Sequence, residues 1–328
     1  MNAEDRVMRP GRGALLLGLW GLMLALASPV AAVTGGAACG PDRIVAGGRP
    51  EVMISAPELY HGLKDGEPYV VVDTRSLWWY ALGHIEGARH LPVEKVMATV
   101  DGVPQMLAPP EQVAEALGKA GIAPDDTVVL YSDAPYKAAR VWWTLHNYGH
   151  RKVRVLDGGI MGWHRYAFPT TILWPFHRET DYPVPEPRQP LVVDLRQTFR
   201  ALDDDCAAVI DVRDREEYVG DVVHAGTEEK GRIAGSTHIH WSAFLDDFEK
   251  LKSTPEIVAL LEDHGISPNQ RIITYCHIGL RSSHTVMALY AAGFPADRIG
   301  NYDGSWMEWS VNPSLPMAGG EGMGNNGE

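Results

Sequence analysis

The chain has 328 residues, of which 45% are hydrophobic and 22% are charged, and its formal net charge is −13. This length suffices for two domains of ordinary size, each with its own core. The negative charge argues against a nucleic-acid partner, because such a partner favours a basic face. The 3 cysteines are an odd number, so at least one thiol is free or bonded to another molecule.

The first 32 residues have the pattern of a secretory signal peptide. A start containing arginines precedes an apolar run from 14 to 27, and small residues then favour cleavage after Ala32. The apolar run is shorter than the roughly 20 residues of a membrane-spanning helix. We therefore expect an exported protein, periplasmic or secreted, without a stable membrane span after cleavage. Lipidation of Cys39 is a weaker alternative, because the apolar residue usual before such a cysteine is absent.

Beyond the signal, the sequence alternates between predicted strands and predicted helices. Residues 69–73, 127–131 and 153–156 form apolar runs, as expected for strands buried on both faces of a sheet. Helical spacing appears between them, for example from 110 to 120, where a proline begins the segment and a glycine follows it. This alternation predicts an α/β fold with a parallel sheet flanked by helices.

The same order of segments occurs twice. The run at 208–213 matches the run at 70–75, and residues 272–275 match residues 128–131. A repeat of this length indicates a domain duplication rather than a solenoid unit. The predicted segments are a signal peptide (1–32), a flexible leader (33–50), a first domain (51–167), an extended proline-rich linker (168–190), a second domain (191–317) and a glycine-rich tail (318–328).

In the second copy, a strand-like run ends at a cysteine, and an arginine follows five residues later. The residues between Cys276 and Arg281 are His277, Ile278, Gly279 and Leu280. A thiol at the start of such a loop lies near backbone N–H groups and a helix N-terminus, whose dipoles favour the thiolate. Arg281 adds a fixed positive charge and five hydrogen-bond donors. We predict that Cys276 is a nucleophile; the alternative is a buried structural cysteine beside a capping arginine.

Cysteine phosphatases have five residues between Cys and Arg, and the shorter loop here is better matched to a single sulfur atom. With its strand, its single glycine and its Cys-four-residues-Arg spacing, the sequence resembles the rhodanese family of sulfurtransferases over roughly residues 52–316. The resemblance implies two tandem rhodanese-like domains, each a mainly parallel sheet flanked by helices. The position that matches Cys276 is Ser132, in a loop that we expect to be longer. A hydroxyl cannot store sulfur as a persulfide, so the first domain is expected to be inactive.

The resemblance implies an enzyme that moves the sulfane sulfur of thiosulfate to cyanide or a thiol through a persulfide on Cys276. Family members that prefer 3-mercaptopyruvate have small, glycine- and serine-rich loops, so the resemblance favours thiosulfate and leaves 3-mercaptopyruvate as the alternative. A sulfur carrier or redox-sensing module with little turnover is a second alternative, and a phosphatase or arsenate reductase a third. The expected partners are a small anionic donor and the acceptor, with no cofactor and no metal; the oligomeric state stays open.

Three further residues are candidates for substrate binding. In rhodaneses the arginine of an Asp-x-Arg motif lines the pocket and binds the donor anion, which here assigns Arg213 and its companion Asp211 to the site. The alternative for Arg213 is an ion pair with Asp211 or Glu217. The resemblance also places Trp241 in the wall of the pocket. A protonated His277 would attract an anion, and an open site would make the thiol sensitive to oxidants.

Overall fold

A computed structural model describes residues 39–40, 44–186, 190–227 and 229–319. These residues form two α/β domains, and the first domain has its own set of strands and helices. They are β1 (Met53–Ile54), α1 (Ala56–Asp65), β2 (Tyr69–Asp73), α2 (Leu77–Leu82), β3 (His84–Ile85), β4 (Arg89–His90), β5 (Met97–Val100), β6 (Val103–Leu107), α3 (Pro110–Lys119), β7 (Thr127–Tyr131), α4 (Pro135–Asn147), β8 (Val153–Leu156), α5 (Gly159–Arg165) and β9 (Thr170–Thr171).

The second domain repeats this plan with its own strands and helices. They are β10 (Val192–Val193), α6 (Leu195–Ala201), β11 (Ala207–Asp211), α7 (Arg215–Val219), β12 (Arg232–Ile233), β13 (Thr237–His238), α8 (Thr254–Asp263), β14 (Arg271–Tyr275), α9 (Leu280–Ala291), β15 (Ile299–Tyr302), α10 (Ser305–Trp309) and β16 (Met317–Ala318). Short 3-10 helices lie at Pro50–Val52, Val93–Val96 and Trp241–Phe244. The predicted signal peptide lies outside the described residues.

Each domain is built on a five-stranded parallel sheet. The strand orders are β1-β8-β7-β2-β4 and β10-β15-β14-β11-β13, so equivalent strands occupy equivalent places. The central strands β7 and β14 are almost wholly buried, which explains why they read as continuous apolar runs. Three antiparallel pairs, β3–β9, β5–β6 and β12–β16, form separate two-stranded sheets. The predicted fold class is confirmed.

The cysteine lies at the edge of the sheet where the parallel strands have their carboxyl ends. In the second domain, Asp211 at the end of β11 is opposite Tyr275 at the end of β14. Cys276 and Arg213 follow these strand ends directly, so they lie at the same edge of the sheet. Parallel sheets place their functional loops at this edge.

The two domains pack together through α4 and α9. One apolar core contains residues of both helices, among them Trp142 and Met287, and the ring of Trp142 lies 5.4 Å from that of Tyr290. Each domain also sends a loop segment to the other. The amide of Leu107, at the end of β6, donates to Asp303, and the amide of Leu251 donates to Asp157.

The loop after Ser132 is not longer than the loop after Cys276, so that prediction was wrong. Helix α4 begins at Pro135, only three residues after Ser132, whereas α9 begins at Leu280, four residues after Cys276. Proline at the first helical position favours this early start. Arg140 therefore lies within α4 and does not end the loop.

The leader, predicted to be flexible, is held against the second domain where it is described. The guanidinium of Arg49 donates to the carbonyls of Tyr290 (2.5 Å) and Phe294 (2.9 Å) and lies 4.2 Å from the Tyr290 ring centre. Cys39 forms a disulfide with Cys206, with 5.2 Å between their Cα atoms. Cysteine counting alone left this pair unassigned.

Two other predicted segments also make defined contacts. In the proline-rich linker, β9 pairs with β3 and the hydroxyl of Tyr182 bonds to His150, so this part runs along the first domain. The predicted tail begins at 318, but β16 includes Met317 and Ala318 and pairs with β12. The last residues of the tail lie outside the described residues.

Candidate active site

Cys276 directly follows the strand β14 and begins a tight turn into α9. Gly279, just before the helix, has a φ of +73°, in the left-handed region that favours glycine. A Cβ atom at this position would lie 2.5 Å from Oδ1 and 2.7 Å from the carbonyl oxygen of Asp303. The glycine is therefore required both by its backbone conformation and by the close approach of Asp303.

Hydrogen-bond donors surround the sulfur. The hydroxyl of Ser282 lies 3.5 Å from Sγ, and the backbone N–H groups of Ile278 and Ser282 also point at it. Burial acts to raise the pKa of Cys276, but the charge of Arg281 and these donors outweigh it and lower the pKa below its ordinary value. The site therefore favours a thiolate, the reactive form of cysteine.

Arg281 is held by two carboxylates. Its Nη1 and Nη2 atoms bond to the two carboxylate oxygens of Glu217 at 2.6 and 2.9 Å, and Nη1 also bonds to Asp214 at 3.1 Å. Burial acts to raise the pKa of Glu217, yet Arg281 lowers it to about 2. The arginine thus ties the start of α9 to α7 and supplies positive charge to the thiolate at the same time.

Ser305 organises the loop from the opposite side. Its hydroxyl oxygen accepts the amides of Cys276 (3.1 Å) and Gly279 (2.9 Å) and donates to the carbonyl of Tyr302 (2.8 Å). The amide of Trp306 then donates to the Cys276 carbonyl at 3.0 Å. Sequence reasoning missed Ser305, although the repeat contains a signal: the first domain has Gly159 at this place and also lacks the thiol.

Arg213 and Asp211 form a buried ion pair, the alternative to the predicted role in donor binding. Arg213 is 2% exposed, with its Nη2 atom 2.6 Å from Asp211 Oδ2 and 2.7 Å from the carbonyl of Gly231. The hydroxyl of Tyr275 also donates to Asp211. The first domain contains the same pair, in which Nη2 of Arg75 is 2.6 Å from Asp73 Oδ2. The ion pair therefore does not by itself distinguish the Cys276 site from the first domain, and donor binding by Arg213 stays a prediction.

His277 and Trp241 make ring contacts with residues other than Cys276. The His277 ring is 4.9 Å from that of His224, and burial together with His224 lowers the pKa of His277 to about 4. His277 is therefore neutral at neutral pH and does not supply the positive charge envisaged. Trp241 packs at the domain boundary, with its ring 5.2 Å from Tyr136 of the first domain and 5.6 Å from His284.

The thiol is less accessible than predicted. Cys276 is 0% exposed, and its side chain belongs to the apolar core. The expectation of a partly open site was therefore wrong for this conformation. In this structure the sulfur therefore has no surface in contact with solvent.

In the part of the chain that the structure describes, no group of three or more His, Cys, Asp and Glu side chains is placed to hold a metal ion. No described helix is both long and apolar enough to cross a membrane.

The fold and the loop define a two-domain α/β protein with a free, buried cysteine at a strand-to-helix turn. The family model described as "Rhodanese-like domain" matches residues 55–166 and 195–312. The chain belongs to this family.

Curated relatives and solved structures agree with this membership. The sulfur carrier protein TtuD of Thermus thermophilus is 31% identical, covering 83% of this chain and 98% of that protein. The thiosulfate sulfurtransferase of Pseudomonas aeruginosa is 31% identical, covering 80% and 92%. The structure of YnjE superposes with a TM-score of 0.74 at 29% identity, covering 83% and 69%. EanB in complex with ergothioneine, in its Y353A variant, gives 0.75 at 25% identity, covering 84% and 71%. The predicted family and rhodanese-type sulfur transfer are confirmed.

Proposed function

We propose that the protein is a thiosulfate sulfurtransferase that works through a persulfide on Cys276. The observation that carries this proposal is the set of groups around the sulfur. The Arg281 charge, the Ser282 hydroxyl and two backbone N–H groups together lower the pKa of a fully buried thiol. Such an arrangement stabilises an anion where the nucleophile must form.

The reaction proceeds in two displacements. The Cys276 thiolate attacks the sulfane sulfur of thiosulfate, a new S–S bond forms at Sγ, and the S–S bond of the donor breaks to release sulfite. The acceptor, cyanide or a thiolate, then attacks the outer sulfur and leaves with it, which restores the thiolate. The charge of the persulfide anion remains near the same donors.

The first domain contributes no second site of this kind. Ser132 takes the place of the cysteine, and its hydroxyl donates to Asp133 at 3.1 Å. Lys137, at the position equivalent to Arg281, pairs with the same carboxylate at 3.0 Å. One persulfide per chain is therefore the expected stoichiometry.

Two features of the site support alternative functions, one with a different sulfur donor and one as a sulfur carrier. Arg281 is already bonded to two carboxylates and His277 is neutral at neutral pH, which weakens the preference for the doubly charged thiosulfate over the singly charged 3-mercaptopyruvate. The burial of Cys276 slows exchange with small molecules, as expected of a sulfur carrier that unloads to a specific partner.

A steady-state comparison of donors tests the proposal. With cyanide as acceptor, we expect kcat/KM to be higher for thiosulfate than for 3-mercaptopyruvate, with parallel double-reciprocal lines that indicate a covalent intermediate. A higher value for 3-mercaptopyruvate would assign the enzyme to that donor. One sulfur loaded per chain without turnover to cyanide would instead identify a carrier.

We further propose that the chain is exported through its N-terminal signal. The disulfide between Cys39 and Cys206 supports this, because such bonds persist in oxidising compartments outside the cytoplasm. Cleavage after Ala32 leaves Cys39 in the mature protein. Peptide mapping of the native protein without reductant should find an N-terminus at Val33 and a peptide linked through Cys39 and Cys206. A retained Met1 with both thiols reduced would contradict export.

A further inference from the structure

We propose that Arg140, in the inactive first domain, is a positioning residue for the Cys276 loop. The first domain would then complete an active site whose chemistry lies wholly in the second. This inference rests on sulfur transfer at Cys276 but not on the identity of the donor.

The guanidinium of Arg140 crosses the domain boundary. The residue is 0% exposed, and its Nη1 atom donates to the carbonyl of Gly279 at 3.2 Å and pairs with the carboxylate of Asp303. Its Nη2 atom donates to the carbonyl of Gln105 at 3.1 Å, and the group stacks 4.6 Å from the ring centre of Trp143. The arginine is thus anchored in its own domain and reaches the loop of the other.

Gly279 is the residue through which this contact acts on the sulfur site. It lies between Ile278 and Ser282, whose N–H groups approach the sulfur. Its carbonyl is held by Arg140 and by the side-chain amide of Asn301 at 3.0 Å. With both carbonyl partners in place, the peptide plane of the turn is fixed and the neighbouring N–H groups keep their direction. Loss of the arginine removes one of the two anchors.

Comparison of the two halves separates this role from simple domain packing. Asp303 accepts the amide of Leu107 at 2.6 Å, and its counterpart Asp157 accepts the amide of Leu251 at 2.9 Å. Both halves therefore share the same cross-domain hydrogen bond.

The first domain has a buried arginine at the boundary, and the second domain has none at the matching position. Arg140 lies eight residues after Ser132, and the residue eight positions after Cys276 is His284. His284 is buried, and its Nδ1 atom has no hydrogen-bond partner among the described residues. Domain packing alone gives no reason for this difference. A cation that supports the loop carrying the cysteine does, because only that loop needs precise amide directions.

The burial of Arg140 is costly, which supports a specific role. Its Nε atom lacks a hydrogen-bond partner among the described residues, and an arginine removed from water needs compensation. Apolar residues in place of both Arg140 and Asp303 would fill the same space without that cost.

The test compares Arg140→Met with Asp157→Ala, which removes the cross-domain bond from Leu251, the counterpart of the bond from Leu107 to Asp303. For both variants we would measure thermal unfolding, kcat, and the rate of Cys276 alkylation by iodoacetamide as a function of pH. We expect both to lower Tm. Only Arg140→Met should reduce kcat about tenfold and move the alkylation profile to higher pH, because the N–H groups no longer align with the sulfur.

Arg140→Lys covers the case in which the methionine variant does not fold. Lysine keeps the charge next to Asp303, but it cannot span Gly279, Asp303 and Gln105 as a guanidinium does. It should fold with nearly native Tm and still show a lower kcat and a shifted alkylation profile. Native kcat and a native profile in whichever of the two variants folds would overturn the proposal. Because alkylation needs no sulfur donor, failure of the proposed donor would not affect this result.

Discussion

Replacing Cys276 by serine abolishes sulfur transfer, and we expect turnover of thiosulfate with cyanide to fall by more than about 10³-fold. A serine hydroxyl stays protonated at neutral pH, and it cannot accept and release a sulfane sulfur as a thiolate does. Thiocyanate formation in a steady-state assay measures the loss directly. The fold should survive, because serine fills slightly less of the same buried space.

Ser132→Ala is the matched control. Ser132 directly follows β7 in the first domain as Cys276 follows β14 in the second, and both residues are buried. Its substitution should leave turnover unchanged within about twofold, since among the described residues its hydroxyl bonds to Asp133 alone. Native turnover in Cys276→Ser would contradict the role of Cys276. A large loss in Ser132→Ala would show that the chemistry depends on the first domain.

Arg281→Met should lower activity at neutral pH by about 10- to 100-fold. The arginine favours the thiolate, so its removal raises the pKa of Cys276 and reduces the fraction of thiolate at any pH below that pKa. The rising limb of kcat/KM against pH therefore moves to higher pH. The variant should approach the native rate in alkaline solution, and a pH–rate profile measures this shift.

The same substitution leaves Glu217 buried without its partner and should cost roughly 3–5 kcal/mol of stability. Glu217 has a folded pKa of about 2, below its ordinary value of 4.5. Its contribution in the native protein is thus complete above about pH 4.5 and is lost as the pH falls through about 2. Urea unfolding of Arg281→Met at neutral pH and at low pH should show a deficit that narrows in acid.

A double variant, Arg281→Met with Glu217→Gln, separates the two effects. Removing both charges should restore part of the stability, because no buried carboxylate is left unpaired. The pKa of Cys276 should remain raised, because the positive charge near the sulfur is still missing. Recovery of the native pH–rate profile in the double variant would show that Arg281 acts only on the fold.

The duplication and the Cys276 loop could be predicted from the sequence because the patterns that indicate them are local. Apolar runs such as 127–131 and 271–275 mark strands buried on both faces of a sheet. The glycine at 279 marks the turn into α9, and its φ of +73° agrees with that interpretation. Periodicity and turn chemistry operate over a few residues, so one sequence suffices for them.

Contacts between distant residues were not accessible in this way. Arg140 and Asp303 are 163 positions apart, and the start of α4 at Pro135 decides which residue faces the second domain. Arg213 carries a strand-end motif, but only the surrounding structure shows that its guanidinium is occupied by Asp211 and Gly231. The burial of Cys276 likewise depends on groups contributed by several elements. No local pattern records such packing.

The most direct test of the account is the mass of the protein after incubation with thiosulfate. With excess donor removed and peptides mapped without reductant, we predict a gain of one sulfur, about 32 Da, on the peptide that contains Cys276. Addition of cyanide should remove that mass and produce an equal amount of thiocyanate. Sulfur transfer that proceeds while the Cys276 peptide stays unmodified, or with the added sulfur on another residue, would contradict a persulfide at Cys276.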